Sequence, residues 1–122
     1  MDKDTFNNIN NQQEIKYDNG RYVGQVVNGL PEGKGIYYFN KEPFKGDRYE
    51  GDFRNGKKEG KGIYYYHHGD RYEGDWKNDK REGKGIYYFN NGDREMGDYY
   101  NGDPIGKFVM LTINGEVKIN NY

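Results

Sequence analysis

Gly69-Asp-Arg-Tyr-Glu-Gly-Asp-Trp76 decides the fold, because its side chains sort into two sets at every second residue. Tyr72, Gly74 and Trp76 form one set; Arg71, Glu73, Asp75 and Lys77 form the other. A period of two sends the sets to opposite faces of a β-strand, whereas a helix would mix them. A polar break at Asn78 to Arg81 follows, then the β-rich run Gly85-Ile-Tyr-Tyr-Phe89. Asn91-Gly92 is a strong tight-turn signal, with His68-Gly69 and Lys45-Gly46 at the equivalent positions. The stretch predicts a β-hairpin.

That hairpin is repeated. Gly46-Asp-Arg-Tyr-Glu-Gly-Asp-Phe53 carries the same pattern 23 residues upstream, and Glu59-Gly-Lys-Gly-Ile-Tyr-Tyr65 recurs as Glu82-Gly-Lys-Gly-Ile-Tyr-Tyr88 at the same shift. An earlier copy, Glu32-Gly-Lys-Gly-Ile-Tyr-Tyr38, lies 27 residues upstream, so the first unit holds an insertion around Lys41 to Lys45. A degraded unit runs Gly92-Asp-Arg-Glu-Met-Gly-Asp-Tyr99, then Pro104-Ile-Gly-Lys-Phe-Val109, and Gly115-Glu-Val-Lys118 begins a stub. The expected units are 20–45, 46–68, 69–91 and 92–114, with the stub at 115–122. Residues 1–19, rich in Asn, Gln and Asp, are expected to be a flexible tail. Hairpins joined in order give an all-β, single-layer antiparallel meander, a solenoid that needs about three units for stability.

Composition supports order over disorder, against a mean hydropathy of -1.34. Net charge is -1, and the chain holds 14 Tyr, 6 Phe and 1 Trp, so its core is built from tyrosine. The near balance of 19 basic and 20 acidic residues argues against a nucleic-acid partner. Zero cysteines exclude disulfides and thiolate metal sites. The absence of serine removes a Ser-His-Asp set, and adjacent His67 and His68 have no further histidine to complete a metal shell. The acids of Gly-Asp-Arg-Tyr-Glu-Gly recur in each unit, where a catalytic dyad would be expected once. The expectation is no enzyme, no cofactor and no metal.

Tyr-x-Gly-x-Trp/Phe, followed by Asn, a basic turn and Gly-x-Gly, resembles the MORN (membrane occupation and recognition nexus) repeat. It stands here as Tyr49, Gly51, Phe53, Asn55, Gly60 and Gly62, then as Tyr72, Gly74, Trp76, Asn78, Gly83 and Gly85. The first unit, Tyr22, Gly24, Val26, Gly33 and Gly35, lacks the second aromatic; in the fourth, Glu95 replaces the Tyr and Phe108 a Gly. The resemblance covers roughly residues 20–115. It implies a curved single-layer sheet and scaffolding or targeting roles, with phospholipids bound by some members and partner peptides by others.

Parity then assigns faces. Tyr49, Gly51 and Phe53 share one face with Gly60, Gly62, Tyr64 and Tyr66, because that set carries no charge. Aromatic rings lying over Gly24, Gly35, Gly51, Gly62, Gly74 and Gly85 would recover what interior strand glycines cost, with Phe53 and Trp76 as structural partners. A single layer leaves an aromatic surface uncovered, and such surfaces mark interaction sites. The expected contact row for a protein partner is Tyr22, Tyr49, Tyr64, Tyr72, Tyr87 and Phe89. A second expectation places anionic lipid headgroups on a basic ridge of Lys57, Lys58, Lys80 and Arg81. Phe108-Val-Met-Leu-Thr-Ile113, the most apolar stretch, is expected to cap the stack or to join copies edge to edge through Val109, Leu111 and Ile113. The expected role is a cytoplasmic scaffold or adaptor in a cytoskeletal or membrane-cortex assembly.

Overall fold

The computed structural model describes residues 12–122. Ten strands follow in order: β1 Gln13–Tyr17, β2 Gly20–Val27, β3 Leu30–Phe39, β4 Arg48–Arg54, β5 Lys57–Tyr65, β6 Arg71–Lys77, β7 Lys80–Tyr88, β8 Arg94–Tyr100, β9 Asp103–Leu111 and β10 Val117–Asn121. They form one sheet in chain order, β1 to β10, and the strand pairs are antiparallel throughout. The meander read from the period-two pattern is the observed fold.

The turns differ from the expected ones. Two-residue turns close β2–β3, β4–β5, β6–β7 and β8–β9, at Asn28-Gly29, Asn55-Gly56, Asn78-Asp79 and Asn101-Gly102, with φ positive at both central residues of each. That is the primed-turn geometry that matches the right-handed twist of paired strands. Asn91-Gly92 instead sits in a longer loop, in which Gly92 N donates to Phe89 O and Phe89 N to Asp93 O.

Within each hairpin the Gly-x-Gly glycines have separate tasks. Gly51 pairs with Gly62, but Phe53 then pairs with Lys58, so β5 fits three residues where β4 fits one. Gly60 absorbs this bulge at φ 75, a left-handed conformation that side chains resist. Gly62 has a different reason: a Cβ there would lie 2.2 Å from the Tyr49 hydroxyl, because the tyrosine ring rests on it. The expected covering of glycines by aromatic rings is what the structure shows.

The core is a single file of rings. Tyr22, Phe53, Tyr49, Trp76, Tyr72, Tyr99, Phe108 and Tyr122 contact in that order, with centroids 4.9–5.3 Å apart and planes crossed at 79–90°. Edge-to-face contacts of this kind add about 0.5–1.5 kcal/mol each beyond burial. The Trp76 indole N–H also donates to Gly62 O at 3.2 Å. Carboxylates staple successive units together. Asp47, Asp70 and Asp93 accept from the backbone N–H of His67, Asn90 and Ile113, while Glu32, Glu59 and Glu82 accept from those of Asn55, Asn78 and Asn101.

Two expectations about the ends are corrected. Gln13–Tyr17, placed in the flexible tail, is β1: Ile15 pairs with Tyr22 and packs on the core, covering the open edge of β2. Residues 1–11 of that tail lie outside the described residues. Val109 and Leu111 are not on an edge, because β10 pairs along β9, with Ile119 opposite Val109 and Val117 opposite Leu111. Ile113 lies beyond β9 in the connecting turn.

Candidate functional site

The sheet has two unlike faces. On one, Arg48 and Arg71 lie 3.8 Å from the ring centroids of Tyr65 and Tyr88, while Lys34–Asp52 and Lys61–Asp75 ion pairs cross neighbouring strands. Exposed pairs such as these add little stability and keep this face wet. The other face carries the ring file and, beside it, a second aromatic row. Tyr17, Tyr37, Phe39, Tyr64, Tyr66, Tyr87 and Phe89 run along it, with successive centroids at 4.6–5.8 Å. A groove of about 540 Å³ opens at its first-unit end, lined among others by Tyr37, Phe39, Phe53, Lys58 and Asp79.

This geometry corrects the expected contact row. Tyr22, Tyr49 and Tyr72 are 0% exposed and Tyr64 is 8% exposed, so none of the four presents a surface to a partner. Each of the first three lies on the glycine of the neighbouring strand and turns its hydroxyl back to its own strand. Tyr49 donates to Asp52 O at 2.9 Å and Tyr72 to Asp75 O at 3.0 Å. Burial pushes the Tyr22 phenol up to about 12. Tyr87 and Phe89 are half-buried and remain on the accessible row, joined by Tyr37, Phe39 and Tyr66. Tyr66 lies on the face that alternation continued from β5 assigns to it. Parity does not separate Tyr22, Tyr49 and Tyr72, whose rings lie across a glycine of the next strand, from Tyr37 and Tyr87, which also stand two residues from a glycine yet remain half-buried.

Acidic groups hold the second row in place. Tyr64 donates to Asp47 at 2.6 Å and Tyr87 to Asp70 at 2.7 Å. His67 Nδ1 and His68 Nε2 lie 2.7 and 3.0 Å from the same two carboxylates, so the histidines brace loops. Burial works to raise the Asp70 carboxyl, but hydrogen bonds from Tyr87, Asn90 and His68 outweigh it and hold the group below the usual carboxylate range. Among the described residues, no group of three or more His, Asp or Glu side chains is arranged to hold a metal ion.

The expected basic ridge divides. Lys57 and Lys80 are exposed, whereas Lys58 and Arg81 point into the aromatic face. The Lys58 ammonium stands 5.6–5.9 Å from the ring centroids of Phe39, Tyr49, Tyr64 and Trp76. Burial lowers its pKa, with Asp79 at 3.8 Å opposing that effect. The Arg81 guanidinium stacks 4.7 Å from the Tyr99 centroid and donates twice to Gly102 O. Alternation carried back from Gly62 through Gly60 reaches Lys58, and from Gly85 through Gly83 reaches Arg81. The signal was present in the sequence, hidden by treating the turn as one basic patch.

A sequence description of the MORN repeat matches residues 22–41, 49–71 and 72–94. The chain belongs to the MORN-repeat family. Among curated proteins, none matches it at a significant level. MORN repeats are commonly protein or membrane interaction modules, and their fold is generally non-catalytic. No helix among the described residues is long and apolar enough to cross a membrane.

Proposed function

We propose that this MORN-repeat chain is a non-enzymatic adaptor that docks a protein segment across its aromatic face, within a cytoskeletal or membrane-cortex assembly. The observation that carries this reading is the second aromatic row. Tyr37, Phe39, Tyr66, Tyr87 and Phe89 remain half-buried, the first four packed against the buried ring file with part of each ring left in water. Tyrosine and phenylalanine suit docking because they offer large rigid area for little rotamer entropy, and a few such anchors carry most of an interface's energy. The anionic-lipid reading has less support, because two of its four cations, Lys58 and Arg81, turn away from the turn tips and into the rings.

The test is to recover a partner with the full chain and map its contacts by crosslinking or by chemical-shift changes. Contacts are expected on Tyr37, Phe39, Tyr66, Tyr87 and Phe89. Contacts confined to residues 106–122 would replace docking on the face with assembly at the chain's end.

A further inference from the structure

One position on the aromatic face changes character along the sheet. Opposite Val26, Phe53, Trp76 and Tyr99, the second-aromatic position of the four hairpins, stand Pro31, Lys58, Arg81 and Pro104 in turn. The end hairpins carry proline there, and the two central hairpins carry cations. Turn tips alternate with this position and reach water, so solubility does not require a charge on the aromatic side. If Lys58 merely filled space, an aliphatic side chain would do so without desolvating an ammonium.

Neither cation is fully matched. Lys58 is 14% exposed at its side chain, and its one ion-pair partner among the described residues, Asp79, is 3.8 Å away and itself 48% exposed. Arg81 makes no ion pair among the described residues; its bonds go to a single carbonyl, Gly102 O, at 2.6 and 3.1 Å. Asp47 and Asp70 accept from Tyr64 and Tyr87 and form no ion pair with either cation among the described residues. Lys58 and Arg81 therefore place two incompletely paired cations among the rings of the aromatic face.

Building on the docking reading above, we infer that the segment this face recognises is an acidic peptide whose two carboxylates meet Lys58 and Arg81. These residues lie on β5 and β7, two strand separations apart, or about 10 Å. A chain in the extended polyproline II form rises about 3.1 Å per residue with three residues per turn, so side chains three apart share one side and span that gap. The segment is Asp/Glu-x-x-Asp/Glu crossing the strands, with apolar side chains on Phe39, Tyr66 and Tyr87. Carboxylates gain most from a guanidinium and an ammonium already held in a partly dehydrated aromatic setting.

The test is selection from a displayed library of random twelve-residue peptides on four forms of the full chain: wild type, Lys58→Gln/Arg81→Gln, Lys58→Arg/Arg81→Lys and Phe39→Ala/Tyr66→Ala. Thermal unfolding confirms first that each form is folded. The expected result is enrichment of two acids three residues apart, with affinity falling at least about tenfold in the glutamine form and largely kept in the charge-preserving form. Groove-dependent peptides without acids, lost only in the alanine form, would overturn the acidic inference and leave the docking reading standing. Peptides insensitive to every substitution, or none enriched at all, would overturn both. Anionic vesicles that bind through Lys58 and Arg81 while no peptide does would assign the two cations to a membrane.

Discussion

The central hairpins and the last one solve the same packing problem with opposite strands. In the centre, the Tyr49 and Tyr72 rings from β4 and β6 lie on Gly62 and Gly85 of the following strand. In the last hairpin Glu95 occupies the tyrosine position and Phe108 the glycine position, and the ring comes from the other side. A Cβ on Gly97 of β8 would lie 2.5 Å from the Phe108 ring of β9. Phe108 is 0% exposed and continues the crossed-ring file from Tyr99 at 5.3 Å to Tyr122 at 5.0 Å. Glu95, 5% exposed, then accepts from Asn120 at 2.9 Å and from the Tyr122 hydroxyl at 2.8 Å, which fastens β10. What the repeat requires is one ring over one glycine per hairpin. Which strand supplies it is free to change, and here the change gives the final strand a polar latch.

The strongest perturbation acts on both regions together. Burial raises the phenol pKa of Tyr22 and Tyr99 to about 12, against an ordinary value of 10.0. Below pH 10 both folded and unfolded chains keep these protons, so the stabilisation is complete. Above it the unfolded chain ionises first, and stability is lost as pH rises through the folded values. Alkaline titration followed by phenolate absorbance and circular dichroism should show cooperative unfolding between pH 10 and 12. Gradual ionisation with the sheet intact would mean the ring file is open to solvent.

Single substitutions come next. Trp76→Ala should cost about 3–5 kcal/mol in chemical denaturation, since the ring touches Tyr49 and Tyr72 and donates to Gly62. Phe108→Gly should cost a similar amount, and here the two solutions can be interchanged. Adding Glu95→Tyr to Phe108→Gly should restore about 1–3 kcal/mol by rebuilding the central pattern, whereas Glu95→Tyr alone should destabilise by crowding two rings over Gly97. Additive costs in the double variant would refute the exchange of strands. Tyr122→Phe should lose about 1 kcal/mol and raise amide exchange in β10 while β4–β7 stay protected. The smallest effect belongs to Lys57→Ala with Lys80→Ala, expected within about 0.5 kcal/mol because neither side chain enters the aromatic face.

Much was legible because the repeat writes its constraints at fixed spacing. Alternation around Tyr72, Gly74 and Trp76 specified strands, the recurrence at 23 residues specified the meander, and Glu95 with Phe108 marked the atypical end. The substitution pair was visible in the sequence, but its compensation was not, because that requires knowing that Phe108 and Gly97 share a face across two strands. Turn placement was misjudged at Asn91-Gly92 because a dipeptide's preference for positive φ does not say how many residues the loop must hold. Alternation by itself determined which side chains share a face. Only the tertiary structure decided which of them lie under others: Tyr49 and Tyr87 share a face and each stands two residues from a glycine, yet Tyr49 lies across Gly62 of the next strand and meets Phe53 and Trp76 edge-on, while Tyr87 stays half-buried. Depth depends on what neighbouring strands place on top, and no spacing within one strand records that.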